Sequence, residues 1–275
     1  MRNATAYEGC TYVKKGNKPK IVVFDLETLP DGRAVYRNLP TFGNWPGRGF
    51  KGDIQTIMCF GYKLLGEKKT YCINAWDFPQ WKKDRHNDIE VVKAAYEILK
   101  DADGIITHNG IKFDMKILNT RLKLHKLPRL PKIPHIDTKQ LCSRHLALYS
   151  NRLGDVATFM GLTNKMHWSN KWDTWVRFEY KEDSRKDRSL MDKYCKYDVI
   201  VLEEVYNEMR EYAANIPNYN LFLGEDSKSP VCPACGGNHL HKHGFKTTKT
   251  KKYQRYQCQN CGNISQADLK GENLK

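Results

Sequence analysis

Apolar and polar residues along this chain alternate between short extended runs and helical stripes. Residues 20–25 carry the apolar run IVVF after a polar, basic lead-in at 1–19, and read as a buried strand. A long loop rich in Gly, Pro, Arg and aromatic residues follows at 31–53, then two strands near 54–64 and 69–75. Ile89, Val92, Tyr96 and Leu99 recur at helical spacing over 88–101. "GIITHNG" predicts a short strand closing in an Asn-Gly turn, followed by a helix from about Phe113 to Leu124. "PHIDT" predicts another short strand leading into a helix at 138–148, and 153–161 predicts one more helix. The stretch 163–188, with Trp168, Trp172 and Trp175, reads as irregular. A long helix covers about 188–213, and "GEDSKSP" reads as a linker. Strands and helices alternating in one block predict an α/β layer fold.

Against this pattern four acids stand out. Asp25 and Glu27 occupy i and i+2 of the first strand, so both point to one face, with Leu26 on the other. Two carboxylates at the end of a buried strand repel each other unless the strand has surfaced or a cation lies between them. A second D-x-E, Asp88-Ile89-Glu90, opens a predicted helix, where the helix dipole favours acids and no metal is needed. Asp114 is readable as a first-turn acid of the same kind. Asp198 falls within the apolar stripe Met191, Tyr194, Val201, Leu202, Val205, one turn after Tyr194. Such a carboxylate needs a partner, either a buried Arg or Lys or a metal. Together the four acids can converge on a pair of hard divalent cations, Mg²⁺ or Mn²⁺, spaced ~4 Å apart for phosphodiester cleavage.

"FDLETLP", "HNGIKFD" and "YCKYD", in that order, resemble the three exonuclease motifs of the DEDD 3′–5′ exonucleases. The Tyr four residues before the last Asp places the resemblance with the DEDDy subgroup, similar to the proofreading domains of family-B polymerases. The resemblance spans about 20–213 and implies an RNase H-like mixed sheet flanked by helices. It implies that Asp25, Glu27 and Asp198 hold one metal and that Asp25 and Asp114 contact the second. It further implies that Tyr194 orients the attacking water and that Asn109 lies near the substrate strand. His108 departs from the Tyr often found in the polymerase domains. Asp137, in "HIDT", resembles a recurring family acid but is not assigned as a ligand.

Charge and cysteine spacing extend the picture. Lys plus Arg total 46 against 31 Asp plus Glu, a formal charge of +15, which suits a polyanionic partner such as nucleic acid. Four of nine cysteines form two C-x-x-C pairs, Cys232/Cys235 and Cys258/Cys261, separated by 22 residues. This is the spacing of a structural four-cysteine zinc ribbon holding one Zn²⁺. The other five, Cys10, Cys59, Cys72, Cys142 and Cys195, are scattered singly. Gly236 and Gly262 follow the pairs, where tight turns need positive φ. Between the pairs, Lys251, Lys252 and Arg255 interleave with Phe245, Tyr253 and Tyr256, resembling the ribbons beside some bacterial transposases. That run fits phosphate and base contacts, a solvated hairpin, or docking to a replication or repair protein. Trp45 and Arg48 in the 31–53 loop either guide a single strand toward the acids or pack beneath the loop.

The expected organisation is a basic segment at 1–19, a catalytic domain at 20–214, a linker at 215–230, a zinc ribbon at 231–265 and a tail at 266–275. No apolar run reaches membrane-span length and no secretory signal opens the chain, so a cytoplasmic protein, bacterial or virally encoded, is expected. The expected activity is a two-metal 3′–5′ exonuclease acting on DNA, with single-stranded 3′ ends as substrate and nucleoside 5′-monophosphates as products. The alternatives are an RNA exonuclease of the same fold and a non-catalytic nucleic-acid-binding adaptor.

Overall fold

The computed structural model describes residues 18–29, 55–163, 166, 171–213, 217–222 and 231–267. The loop at 31–53, with Trp45 and Arg48, the "GEDSKSP" linker and nearly all of the basic lead-in lie outside these residues.

A five-stranded mixed sheet forms the centre. Its strands are β1 (Ile21–Thr28), β2 (Ile57–Leu64), β3 (Tyr71–Asn74), β4 (Gly104–Thr107) and β5 (His135–Asp137), in the order β3-β2-β1-β4-β5. β1 pairs antiparallel with β2 and parallel with β4, and so occupies the middle. Its side chains alternate between two cores. Val22, Phe24 and Leu26 join one, Ile21 and Val23 the other, which is why the run is apolar without alternation.

Helices cover both faces: α1 (Pro79–Lys83), α2 (Ile89–Leu99), α3 (Asp114–Leu124), α4 (Thr138–His145), α5 (Leu153–Phe159), α6 (Lys171–Glu179) and α7 (Arg185–Met209). Helix α7 begins three residues earlier than the periodicity predicts, because Ser184 and Asp187 close a reciprocal capping box. It crosses the face that carries Ile21 and Val23. A Cβ on Gly61 would stand 2.6 Å from Cys195 Sγ and 3.1 Å from its carbonyl oxygen, so only glycine lets the helix backbone approach β2 this closely. A buried ion pair between Lys63 and Glu203, with Gly66 N–H donating to Glu203 Oε1 at 2.7 Å, fastens the same two elements further along. Among the described residues no helix is long and apolar enough to cross a membrane.

The structure corrects one sequence-based expectation and adds to two others. Residues 163–188 are not irregular throughout, for α6 occupies their centre. Thr174, Trp175 and Phe178 form its buried face, Phe178 stacks on Trp76 with centroids 5.1 Å apart, and Trp175 meets Tyr194 edge-on at 5.9 Å. Cys59, Cys72 and Cys195 are scattered only in sequence; the thiols of two neighbouring strands and α7 meet beside the close approach at Gly61. Asp88 opens its helix as expected, at the N-cap, but the helix dipole is only part of its setting. Its side chain makes no cap hydrogen bond. It is also a buried hub whose Oδ1 accepts from Arg121 Nε (3.0 Å) and Nη2 (2.5 Å) and lies 2.6 Å from His125 Nε2, while Oδ2 accepts from Ile57 N–H at 2.7 Å.

Breaking this hub strands a buried guanidinium. Asp88→Ala is expected to lower unfolding free energy by about 3–5 kcal/mol in urea titration. Glu90→Ala, which removes only an exposed pair with Lys93, should change it by no more than about 0.5 kcal/mol. Equal effects would leave Asp88 with the helix-dipole role alone.

Candidate active site

The end of β1 presents Asp25 and Glu27, both half-buried, toward α7. Asp198 on that helix is 2% exposed. One oxygen from each of the three carboxylates lies within 4.8 Å of the other two. Tyr194, one turn before Asp198 and equally buried, lies close enough for the clustered carboxylates to act on its hydroxyl. Asp114 opens α3 beneath the strand. Its Oδ1 accepts from Leu26 N–H at 3.0 Å, which fixes the backbone between Asp25 and Glu27. Asp114 is outside the three-oxygen cluster but close enough to act on Asp25.

The electrostatics follow from this crowding. Burial pushes the Asp25 carboxyl well above the usual range, and Asp114, Glu27, Asp198 and Cys195 push it further in the same direction. Asp114 is raised to about 7, chiefly by burial, against the opposing pull of backbone N–H donors. Burial and then the three clustered carboxylates raise the pKa of the Tyr194 phenol, so its hydroxyl stays protonated at neutral pH and keeps a proton to donate. Hard oxygen donors converging this way fit Mg²⁺ or Mn²⁺.

A loop beside the cluster is held by Asp137, whose contribution the sequence reading missed. Its two oxygens accept from Asn109 N–H (2.8 Å) and Ile111 N–H (3.2 Å), and Oδ1 also accepts from Lys139 and Gln140 N–H at the start of α4. Asn109 adopts φ 71°, a left-handed conformation that Asn tolerates better than most residues. At Gly110 a Cβ would collide with Thr107 Oγ1 at 2.2 Å. His108 is gripped through both ring nitrogens, by Thr138 Oγ1 at 2.8 Å and Asn151 O at 2.9 Å. The Asn-Gly pair signals the turn in sequence; the distant acid that secures it does not.

The second cluster is all sulfur. Cys232, Cys235, Cys258 and Cys261 lie within 4.8 Å of one another, with Cys232–Cys261 at 3.6 Å and Cys235–Cys258 at 3.7 Å. Gly236 (φ 71°) and Gly262 (φ 73°) take the positive φ that the two turns require. Four soft donors at tetrahedral spacing fit Zn²⁺. Strands β6 (Leu240–Thr247), β7 (Lys252–Cys258) and β8 (Ile264–Ala267) form a small antiparallel sheet here. Lys251 and Lys252 are exposed, Arg255 is half-buried, and Lys252 Nζ sits 4.2 Å over the Phe245 ring.

A sequence model described as the RNase_H superfamily matches residues 47–210, a stretch that starts after β1 and includes Asp114, Tyr194 and Asp198. No curated protein matches the chain. Among solved structures it is similar to the family B DNA polymerase from the hyperthermophilic archaeon Pyrobaculum calidifontis, at 12% identity and a TM-score of 0.48. That match covers 86% of this chain and 32% of the polymerase chain.

The crowded acids imply a distinctive pH dependence. A carboxyl whose pKa is higher in the folded than in the unfolded chain binds its proton more tightly when folded, so stability falls as pH rises from the unfolded value toward the folded one. For Asp114 that window runs from 3.8 to about 7, and Asp25 acts in the same direction. In chelator, the contribution of these groups should lower Tm across this window. Mg²⁺ or Mn²⁺ should restore much of the loss, and Asp25→Asn should blunt it. A metal-independent profile, identical in Asp25→Asn, would contradict this account.

Proposed function

Because the chain belongs to the RNase H superfamily, whose fold supports a nuclease-type function, we propose that it is a metal-dependent 3′–5′ exonuclease of DEDDy type acting on DNA. The observation that carries this reading is the convergence of the Asp25, Glu27 and Asp198 oxygens on one point, with the Tyr194 hydroxyl beside them. Asp25, Glu27 and Asp198 would hold one divalent cation, and Asp25 with Asp114 would contact a second. Such a pair supplies the charge that activates water and stabilises the leaving oxygen. The protein's own part is positional. Asp114 fixes the strand end through Leu26, and Gly61 lets α7 bring Asp198 close. Tyr194, held as a neutral phenol, orients water rather than deprotonating it. Asn109, on its anchored loop, would face the 3′-terminal nucleotides. Trp45 and Arg48 are proposed to guide the strand. The exposed Lys251 and Lys252, with Arg255, would grip phosphates from the ribbon.

The decisive measurement is digestion of 5′-labelled DNA and RNA oligomers, single and double stranded, with Mg²⁺, Mn²⁺ or chelator. Shortening from the 3′ end is expected on single-stranded DNA, only with metal, and is expected to vanish in Asp25→Ala and Asp198→Ala. Tyr194→Phe should cut turnover by ~10², and Tyr197→Phe, which packs in the opposite core, by far less. Activity surviving in either Ala variant would refute the assignment; preference for RNA would move the substrate class.

Binding offers a separate check. In an Asp25→Ala background, replacing Lys251, Lys252 and Arg255 by Gln should flatten the slope of log affinity against log salt on single strands by about 2, at ~0.7 per phosphate contact. An unchanged slope would point the ribbon toward a protein partner.

A further inference from the structure

The sulfur cluster does not hang from a free tether. The segment 217–222 touches the core on one side and the ribbon on the other. A Cβ on Gly104, at the start of β4, would stand 3.3 Å from Pro217 Cγ. Two residues later, Tyr219 N–H donates to Pro233 O at 3.0 Å, and its ring fills the place of a Gly236 Cβ, 2.6 Å away. Asn220 brackets Val231, donating to its carbonyl at 2.8 Å and accepting from its N–H at 2.9 Å. From the turn after α7, Arg210 Nη2 donates to Asn260 O at 3.3 Å. Pro233 and Gly236 belong to the first cysteine turn and Asn260 to the second, so both turns are held.

Between core and ribbon lies a cavity of about 290 Å³ lined by Tyr206, Arg210, Tyr219 and Cys235, with Lys18 and Lys20 at its edge. Tyr206 is 1% exposed, and its hydroxyl has no hydrogen-bond partner among the described residues. A buried donor left this way is costly. Cys235, one of the four thiols, lines the same cavity as this tyrosine and Arg210. A divalent cation on four thiolates leaves a net charge of −2, and the C-terminal end of α7 adds its own partial negative charge. A centre so placed needs donors and a cation around it, and the core supplies a hydroxyl and a guanidinium.

We propose that Tyr206 and Arg210 are outer partners of the four-cysteine metal centre, so that metal loading fastens the ribbon to the last turns of the helix that carries Tyr194 and Asp198. This rests on reading the four cysteines as a metal site. Their roles are positional: they steady thiolates, as ring-N–H partners steady ligating histidines elsewhere. The consequence is mutual, since whatever favours the loaded ribbon also orders the end of α7.

The test uses the full chain, with bound zinc counted by elemental analysis, zinc affinity measured by chelator competition, and amide exchange followed across 199–212. One zinc per chain is expected. Tyr206→Phe and Arg210→Gln should each weaken zinc about tenfold or more while exchange in α2, remote from the ribbon, stays at wild-type rates. Stripping zinc should speed exchange at 205–212 about tenfold as well as in the ribbon. Wild-type zinc affinity in both variants, or exchange in α7 indifferent to zinc, would overturn the proposal and leave the zinc site standing. A variant that speeds exchange in α2 equally would show a general packing defect and count against it. A wild-type chain that binds no zinc would remove the site and the proposal together.

Discussion

Mutual repulsion among carboxylates is the constraint around which this fold is organised. Asp25, Glu27 and Asp198 come from a central strand and a long helix, and nothing in their own chemistry draws them together. Two contacts between β2 and α7 hold them in place. Gly61 removes the side chain that would keep α7 off the sheet, and the Lys63–Glu203 pair clamps helix to strand beyond it. The Leu26 N–H donated to Asp114 then fixes the strand between its two acids. Packing on both faces of β1 provides the stability against which this local cost is set.

The two D-x-E segments show why a motif acquires meaning only from what faces it. Among the described residues Asp88 is as buried as any acid, yet its oxygens meet a guanidinium, an imidazole and a backbone N–H. Its charge is fully answered within the protein. The strongest influences on Asp25, apart from burial, are three other carboxyls and a thiol. The first arrangement is a structural joint. The second is one that a cation would complete, and the difference lies in residues far away in sequence.

That difference sets what sequence can reveal. The mixed α/β fold was legible because β1 is apolar on both faces and α7 keeps its stripe over many turns. The same periodicities imply that Asp25 and Glu27 share a face and that Tyr194 and Asp198 sit one turn apart. The cysteine turns were legible from local spacing, including the positive φ at Gly236 and Gly262. Features that depend on distant partners were not. Helix α6 carries a narrow buried face of Thr174, Trp175 and Phe178 amid charged residues, too short a stripe to stand out from an irregular stretch. Asp137 anchors a loop 26–28 residues upstream. Cys59, Cys72 and Cys195 meet only because Gly61 admits the helix.

Helix α7 also bears on how one chain could keep two kinds of cation apart. Asp198 and Tyr206 are eight residues apart on it, a rise of ~12 Å. The strand beside it repeats this polarity, with Glu27 at the carboxylate end and Ile21 lining the cavity near Cys235. One end offers only oxygen and the other only sulfur. Thiolates select the softer ion strongly, while carboxylates and water suit Mg²⁺ and Mn²⁺. A mixed set at either end would blur that choice, since divalent zinc binds nitrogen, oxygen and sulfur alike. Purity of each donor set is therefore what would let a structural cation and exchangeable ones share a single helix without trading places.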